Sequence, residues 1–439
     1  MRALPSLPPA SLPLASLLVV VGLFGSATRA DDTSTTPDEL RYDVLYDVRV
    51  IPTERSAHVR ISLGKNAALV KRLTFHIDPT RHMEFKGPGE IKLNGEYVEW
   101  WPPPEGGRLQ YLFRIDHLRD ARRYDARCAE NWALFRGDDL IPPVRARTDD
   151  GAKARARLRL RLPDRWKAAV PFPELDDGTY QVDRERRGFD RPTGWILVGR
   201  LGISRVKLHG MHVTVAAPHK NSLRRQDILA FLRWTLPALR DVTDLPERLL
   251  IVGAGDPMWR GGLSGPDSFY LHADRPLIDD DMTSPLLHEM IHTLMSARAG
   301  ADGDWIIEGL AELYSLEVLS RSHTISKRGY ERALSKLTEK GARVTNLRVP
   351  RADGKTSARA VTVLKKLDEE IRAHTEGQKN LDDVLRLTIK RRGEITTDDF
   401  KQIAEAVAGT DLTAFFGKHV PPVPATASQV SKPAPPSTR

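Results

Sequence analysis

The first half of the chain is dominated by a strict alternation of apolar and polar residues. Side chains two positions apart point to the same face of a β-strand, so this alternation predicts strands with one buried face. The Asn94-Gly95 pair, between two short runs of strand character, is typical of a two-residue hairpin turn. We therefore predict a β-sandwich-like domain over residues 38–218. The apolar positions of the two clearest runs are Tyr42, Val44, Tyr46, Val48 and Val50, then Ala57, Val59, Ile61 and Leu63.

The period of the pattern changes after residue 218. Apolar residues recur at the three- and four-residue spacing of a helix over Asn221–Asp241, with Asn221 or Ser222 available as the N-cap. The run RLLIV at 248–252 predicts a buried strand. Helical spacing dominates from there to about Val420, which predicts a helical domain over 326–420. The remaining residues, 421–439, are rich in proline and small polar residues and are predicted to form a disordered tail.

Two helices are predicted near the centre of this second half. Ser284 supplies an N-cap for the first helix, and Pro285 suits its first position because the missing N–H costs nothing there. The second helix is predicted over Trp305–Leu319, after the Gly303-Asp304 turn. The apolar residues that give the first helix its periodicity are Leu287, Met290, Ile291, Leu294 and Met295.

The first residues of the chain have the composition of a secretory signal. A basic start is followed by an apolar run from about Leu12 to Phe24 and by small residues up to Ala30. An uncleaved anchor is the alternative, but the apolar run contains Pro13 and is shorter than the roughly 20 residues that span a bilayer. We predict a signal peptide at 1–30, a periplasmic or secreted protein, and no transmembrane span in its mature form.

Charge and cysteine content narrow the classes of partner. The formal net charge of +9 is spread over 439 residues, and the densest basic run, at 152–163, alternates arginine with apolar residues. A solvated strand face explains this run better than a dedicated anion site. No stretch interleaves aromatic with basic residues, so we predict no nucleic-acid partner. The single cysteine, Cys128, cannot form an internal disulfide, and the oligomeric state stays open.

The run HEMIH in the first central helix contains candidate metal-binding residues. His288 and His292 lie one turn apart on the same side of a helix, so both imidazoles can reach one metal ion. Glu289, beside the first histidine, can reach a water on that metal. Matches to a five-residue motif also arise by chance. The motif alone therefore leaves a metal site and an ordinary buried helix as alternatives.

The second central helix adds two carboxylates. Glu308 and Glu312 are one turn apart, so they project from the same face. Glu308 supplies the third ligand, and Glu312 is placed to hydrogen-bond the outer nitrogen of a ligand histidine. Without a metal, the helix pair would bury four ionisable groups at high cost. We predict one Zn²⁺ per chain, bound by His288, His292 and Glu308, with water at the open fourth position within reach of Glu289.

The HEMIH motif and the following WIIEGLAELY resemble the gluzincin metallopeptidases. The stretches WALFRGDDLIPP, LDEEIR, LDDVLR and AVAGTDLTAFF are similar to segments of one branch, the glycyl aminopeptidase family. The resemblance implies an α+β multidomain protein with a thermolysin-like zinc catalytic domain at 219–325, between the β-rich and the helical domains. It also implies the same three zinc ligands and Glu289 as the general base, acting on a peptide or protein substrate.

The sequence departs from that family at the positions that would read the substrate. Relatives usually carry GGLEH on the strand that lines the cleft, where the glutamate meets a free amino terminus, whereas this chain reads GGLSG and has Ser264. Ser357 stands where relatives have an oxyanion-stabilising tyrosine, and only 15 residues separate His292 from Glu308. No segment resembles the PDZ domain of many relatives. Residues that could replace the phenol, although core packing also explains each, are Tyr270, Tyr314, Tyr330, His272 and His323.

Two function classes follow from these observations. The first is an exported zinc metallopeptidase, supported by the presence of the base Glu289, which a catalytically inactive site does not need. The second is an inactive or weakened zinc-binding homologue that holds a peptide as an envelope binding or scaffold protein. The serines at 264 and 357 favour this alternative. Cleavage of a mixed peptide library would distinguish the two.

Overall fold

The computed structural model of the chain describes residues 40–183 and 189–422. The predicted signal peptide at 1–30 lies outside the described residues, as does the predicted disordered tail from residue 423 onward. Within the described ranges, no helix combines the length and the hydropathy that crossing a membrane requires. The described residues form a mixed α/β structure of several sheets and helices.

The alternating first half of the chain forms three sheets. Its strands are β1 (Arg41–Ile51), β2 (Ser56–Leu63), β3 (Val70–His76), β4 (His82–Lys86), β5 (Glu90–Asn94), β6 (Tyr97–Trp101), β7 (Gly107–Arg114), β8 (His117–Leu118), β9 (Tyr124–Cys128), β10 (Trp132–Arg136), β11 (Val144–Thr148), β12 (Lys153–Arg161), β13 (Lys167–Ala169), β14 (Tyr180–Gln181) and β15 (Trp195–Gly199). A short helix, α1 (Gly137–Leu140), follows β10. The sheet orders are β14-β12-β1-β2-β7-β4, β11-β3-β6-β5 and β13-β15-β10-β9-β8.

The predicted strand patterns are confirmed in this region. The apolar positions of β1 are buried in a core that also takes in Phe75 of β3 and Phe135 of β10, and therefore joins the three sheets. Gly95, with φ of 56°, lies in the turn between β5 and β6, where the hairpin is predicted. The core positions of β1 are Tyr42, Val44, Tyr46, Val48 and Val50.

The basic run at 152–163 forms a solvated strand face, as predicted. Its strand, β12, buries alanines and a leucine in the core and directs its arginines outward. Arg161 donates two hydrogen bonds of 2.7 Å to Asp47 on the neighbouring β1. Arg157 donates to Asp177 at 3.3 Å. These arginines are therefore neutralised by acids on adjacent segments.

A fourth sheet of five strands follows the β-rich region. Its order is β16-β17-β18-β20-β19, in which β17, β18 and β20 are parallel and β19 is an antiparallel edge strand. Residues 201–218, which alternation assigned to the β-rich domain, pair with the predicted strand at 248–252, because alternation does not show which sheet a strand joins. The domain limits themselves stay a prediction. The strands are β16 (Leu201–Leu208), β17 (Met211–Pro218), β18 (Arg248–Ala254), β19 (Gly262–Gly265) and β20 (Ser268–His272).

Helices dominate the chain after β17. They are α2 (Arg225–Val242), α3 (Pro285–Leu294), α4 (Asp304–Arg321), α5 (Lys327–Gly341), α6 (Gly354–His374), α7 (Leu381–Lys390), α8 (Thr397–Ala408) and α9 (Thr413–His419), with a small sheet of β21 (Ala297–Ala299) and β22 (Gly393–Ile395). The predicted cap of α2 is wrong. The N-cap is Arg224, because the Asn221 side chain instead accepts a hydrogen bond from the amide of Leu223 in the turn before the helix.

The fourth sheet separates two packing layers. Side chains of one face, such as Ile251 and Phe269, share a core with the helices and contact residues such as Met290 of α3. Side chains of the other face, such as Leu250 and Tyr270, share a smaller core with strands of the β-rich region. The sheet therefore lies between the helices on one side and β-strands on the other, and α3 lies on the helical side.

Candidate metal centre

Helix α3 presents two histidines beside its buried apolar face. The hydroxyl of Ser284 accepts a hydrogen bond from the amide of Leu287, and Pro285 is the first helical residue, as predicted. Leu287, Met290 and Ile291 are buried against the sheet and α4. Because the apolar stripe fixes the rotation of the helix, the side chains one turn apart at 288 and 292 both face α4.

His288, His292 and Glu308 converge on one point. The two Nε2 atoms are 3.0 Å apart, and the carboxylate oxygens of Glu308 lie 3.5 Å from each of them. Ligand atoms of a tetrahedral zinc ion with bonds of about 2.0–2.1 Å are separated by about 3.3 Å. The three groups, each of which offers one ligand atom, therefore have the spacing and the chemistry that zinc requires. Their role as ligands is taken up as a proposal below.

Glu312 lies on the outer side of the first histidine. Its carboxylate is 3.1 Å from Nδ1 of His288, so a hydrogen on that nitrogen is donated to Glu312. In the neutral form of His288, a hydrogen on Nδ1 leaves Nε2 as the free acceptor, directed toward His292 and Glu308. Glu308 and Glu312 reach opposite sides of the same ring because they are one turn apart on α4. The arrangement is the one that orients a metal-binding imidazole.

Burial and charge shift the pKa values of these groups in opposite directions. Burial alone would lower the pKa of His288, but hydrogen bonds to Glu308 and Glu312 outweigh it and raise that pKa to about 10. Burial would raise the pKa of Glu308, whereas hydrogen bonds from His288 and His292 hold it well below its usual range. Burial raises the pKa of the Glu289 carboxyl. The carboxylates therefore attract a cation to the histidine nitrogens.

Glu289 lies directly against the edge strand β19. A methyl group built at Gly262 would be 2.3 Å from Cγ and 2.4 Å from Oε1 of Glu289, so only glycine leaves room for this carboxylate. Gly262 pairs with Leu271 of β20, which holds the edge strand in place. The side chain next to the first candidate ligand is therefore enclosed between α3 and the sheet.

The free edge of β19 lies beside that carboxylate. The amide of His272 donates to the carbonyl of Gly261, which fixes the register and directs the backbone groups of Gly262 and Ser264 away from β20. Arg136 of the β-rich region donates to the carbonyl of Ser264 at 3.0 Å. Arg136 therefore takes the outward carbonyl of Ser264, whereas the outward backbone groups of Gly262 lie beside Glu289.

The candidate replacements for an oxyanion-stabilising phenol are engaged elsewhere. The Tyr270 hydroxyl donates to the carbonyl of Trp259 at 2.8 Å, and the Tyr314 hydroxyl donates to Asp382 at 2.8 Å. Tyr330 donates to Glu317. Because burial raises the pKa of all three phenols and each has an acceptor, none is free to act on a substrate in this arrangement.

The remaining candidates also lie in structural roles. Ser357 donates to the carbonyl of Asp353 within the first turn of α6. His272 is buried beside Asp256, and burial lowers its pKa. His323 follows the end of α4 and is exposed. Ser264 keeps an uncharged hydroxyl on β19 at the position where the family resemblance implies a glutamate.

Two residues that contribute to the site were not identified from the sequence. Gly262 admits the Glu289 carboxylate, and Arg136 occupies the outward carbonyl of β19. The Gly261-Gly262 pair next to a strand was the available signal, because glycine in a strand often marks a close approach of another group. No local signal connects Arg136 to Ser264, since the two residues are distant in sequence.

Solved structures with a similar fold include an aminopeptidase N family protein and M1 zinc metallopeptidases. An aminopeptidase N family protein from Idiomarina loihiensis is similar to 86% of this chain over 76% of its own length, with a TM-score of 0.65 and 14% sequence identity. An M1 zinc metallopeptidase from Deinococcus radiodurans is similar to 90% of this chain over 96% of its own length, with a TM-score of 0.56 and 17% identity. A variant of an M1 zinc metallopeptidase from that organism, bound to a Tyr-Ser-Ala substrate, matches with a TM-score of 0.56 and 16% identity over 88% of this chain and 94% of its own.

Sequence comparison adds no nearer relative. No family model matches the chain, and no curated protein is detectably similar to it in sequence. The structural similarity therefore shows a common fold across most of the chain, at sequence identities of 14–17%.

Proposed function

We propose that this protein is a zinc-dependent peptidase. The observation that carries the proposal is the convergence of His288, His292 and Glu308 at zinc-like spacing, with Glu289 between this cluster and a free strand edge. The fold shared with M1 zinc metallopeptidases supports the same conclusion. One zinc ion per chain would be held by the two imidazoles and the carboxylate, and Glu312 would orient His288 through Nδ1.

The chemistry divides between the metal and the side chains. Zinc, when bound, supplies a Lewis acid and lowers the pKa of a water molecule toward about 7. Glu289 takes a proton from the attacking water on a carboxylate oxygen and returns it to the nitrogen of the leaving amine. Its enclosure against Gly262 suits this role, because a base confined by packing stays within reach of the reacting atoms.

The free edge of β19 provides the means to position a substrate. An extended peptide can add to a sheet edge through main-chain hydrogen bonds, which are available to any amino-acid sequence. The outward backbone groups of Gly262 would pair with a residue beside the scissile bond. Since Arg136 already occupies the carbonyl of Ser264, only the amide of that residue is left for pairing beyond Gly262. A substrate would therefore be held at the edge over a short span.

We further propose that the enzyme resembles the glycyl aminopeptidases in architecture but differs from them in how it reads the substrate. Ser264 cannot offset the charge of a substrate ammonium group as a carboxylate would, so a free amino terminus is not expected to be required. The signal-like residues 1–30 support a further proposal, that the protein works in the periplasm or outside the cell after cleavage.

The decisive experiment compares the wild type with Glu289→Gln. Both proteins are loaded with zinc, assayed for metal content and incubated with a mixed peptide library. The variant is expected to keep the metal and to lose hydrolysis, because glutamine cannot accept the proton. Equal cleavage by the two proteins would remove Glu289 from the mechanism. Cleavage by neither would support the alternative, a zinc-binding scaffold protein.

A further inference from the structure

A cavity lies on the face of the fourth sheet that is remote from the helices. It has a volume of about 340 Å³ and lies between the start of β18 and the segment around β13. Arg248 and Leu250, near the first end of β18, line it. Glu289, in contrast, lies beside Gly262 of β19. The β20 residue that pairs with Gly262 is itself paired with Gly253, near the other end of β18. The cavity is therefore separate from the candidate metal centre.

Four basic side chains from three neighbouring strands line this cavity together. Lys207 of β16 is paired with His212 of β17, and His212 is paired with Arg248 of β18, so the three lie side by side on one face. Arg205, two residues before Lys207, is on the same face. Further along the same face, residues such as Leu250 are buried against the β-rich region. Lys207, His212 and Arg248 therefore lie just beyond the end of that apolar contact.

Among the described residues, no ion pair neutralises the positive charge that lines this cavity. In the described part of the chain, Arg205, Lys207 and Arg248 have neither an acid within ion-pair distance nor a side-chain hydrogen bond, in contrast to the paired arginines of β12. Glu174 is the acidic residue among those that line the cavity. Three cations, of which Arg205 and Lys207 are exposed, therefore line the cavity together with one carboxylate, and His212 is a further donor.

The opposite wall has a different character. The segment from Ala168 to Phe172 contributes apolar surface, and Tyr180 adds a ring and a phenol. The size is within the range of small-molecule sites, about 300–1,000 Å³, which usually combine apolar walls with a few polar groups. A ligand that satisfies both walls has an anionic group on one side and an apolar body on the other.

We propose that this cavity binds a phosphomonoester that carries an apolar substituent. A phosphomonoester has a charge of about −1.5 to −2 at neutral pH, which matches the excess of two positive charges better than a single carboxylate does. Its three oxygens accept hydrogen bonds from the guanidinium of Arg248 and the ammonium of Lys207 at once. The apolar substituent contacts the 168–172 segment. The same group occurs on soluble phosphate esters and on the headgroup of phosphatidic acid.

Titration calorimetry with phenyl phosphate at constant ionic strength tests the proposal. The full chain is expected to bind one phenyl phosphate at least tenfold more tightly than benzoate. Lys207→Gln combined with Arg248→Gln is expected to weaken phenyl phosphate binding at least tenfold. Arg233→Gln is the control, because Arg233 is exposed on α2, which packs on the other face of the sheet. Equal affinity in the double variant, or equal affinity for benzoate, would overturn the proposal.

Thermal unfolding separates a binding role from a structural one. Removing two cations that repel each other is expected to leave the ligand-free Tm of the double variant equal or higher, while the rise in Tm on adding phenyl phosphate is lost. A lower ligand-free Tm with an undiminished phenyl phosphate response would contradict the proposal. If the double variant does not fold, Lys207→Gln alone is expected to weaken binding severalfold.

Vesicles distinguish the two sources of the ligand. Co-sedimentation with phosphatidic acid vesicles, but not with vesicles of the phosphodiester phosphatidylglycerol, would assign the cavity to a lipid headgroup. Binding of phenyl phosphate without co-sedimentation would assign it to a soluble ester. Equal co-sedimentation with both vesicle types, unaffected by the double variant, would show general attraction to anionic surfaces and would overturn the assignment.

Discussion

The substitution Gly262→Ala tests how the edge strand and the proposed base depend on each other. The added methyl carbon would lie 2.4 Å from Oε1 of Glu289, about 1 Å inside the start of ordinary van der Waals contact at 3.4 Å. Pairing with β20 resists movement of the strand, so the carboxylate has to move by about that distance. Since a misplacement of about 1 Å can cost about 100-fold in rate, kcat/KM is expected to fall by that factor, or about 2.7 kcal/mol.

The assay uses the best peptide found for the wild type, with zinc content measured on the same samples. Gly255→Ala is the matched control, because the atom nearest to its new methyl carbon is Nδ2 of Asn221 at 3.7 Å, an ordinary contact. Full zinc content with a large loss of kcat/KM is expected for Gly262→Ala alone. An undiminished kcat/KM in that variant would refute the reasoning, since it would mean that the position of Glu289 against β19 does not matter to the reaction.

Four further predictions concern the metal, the fold and the substrate. His292→Ala is expected to empty the zinc site, and undiminished zinc in metal analysis would exclude His292 as a ligand. Glu312→Gln is expected to weaken zinc affinity about 10- to 100-fold without emptying the site at saturating metal, as measured by competition with a chelator. Burial would raise the pKa of Asp382, but its hydrogen bond with Arg321 lowers it. The stability from that pair is therefore present above the ordinary carboxyl pKa of about 3.9 and is lost as pH falls below it. Asp382→Asn should cost about 2 kcal/mol at pH 7 in denaturant unfolding and progressively less as pH falls below about 3.9, whereas a constant difference would contradict this. Because of Ser264, a peptide with an acetylated amino terminus should be cleaved about as fast as the free peptide, and activity confined to the free peptide would show that an amine site exists.

Features encoded by local periodicity could be predicted from the sequence. The alternation in β1 and the helical spacing of α3 appear in the structure where the patterns place them, because one buried face fixes the phase of each element. The expected contact between Glu312 and the outer nitrogen of a ligand histidine is also present, at 3.1 Å from Nδ1 of His288. One-turn spacing on two adjacent helices determines that contact almost completely.

Features that depend on long-range pairing could not be predicted. Residues 201–218 alternate like the strands before them, and nothing in their own pattern shows that they pair with β18. The row of Lys207, His212 and Arg248 forms only when three strands align, so no basic run marks it in the sequence. The predicted N-cap of α2 is wrong for a local reason. The Asn221 side chain accepts its hydrogen bond from an amide in the turn before the helix, so it does not cap the helix.

The position of the metal cluster on two successive helices has a consequence for the integrity of the chain. A metal held by His292 and Glu308 would act as a cross-link that closes the 15-residue segment between them, which contains β21. Closing a loop of about 15 residues removes chain entropy worth about 3 kcal/mol from the unfolded state in the disulfide case. Cys128, the single cysteine, is free and buried, so the chain has no covalent substitute. Zinc supply would then govern how long the protein resists proteolysis in this segment, as well as whether it is active.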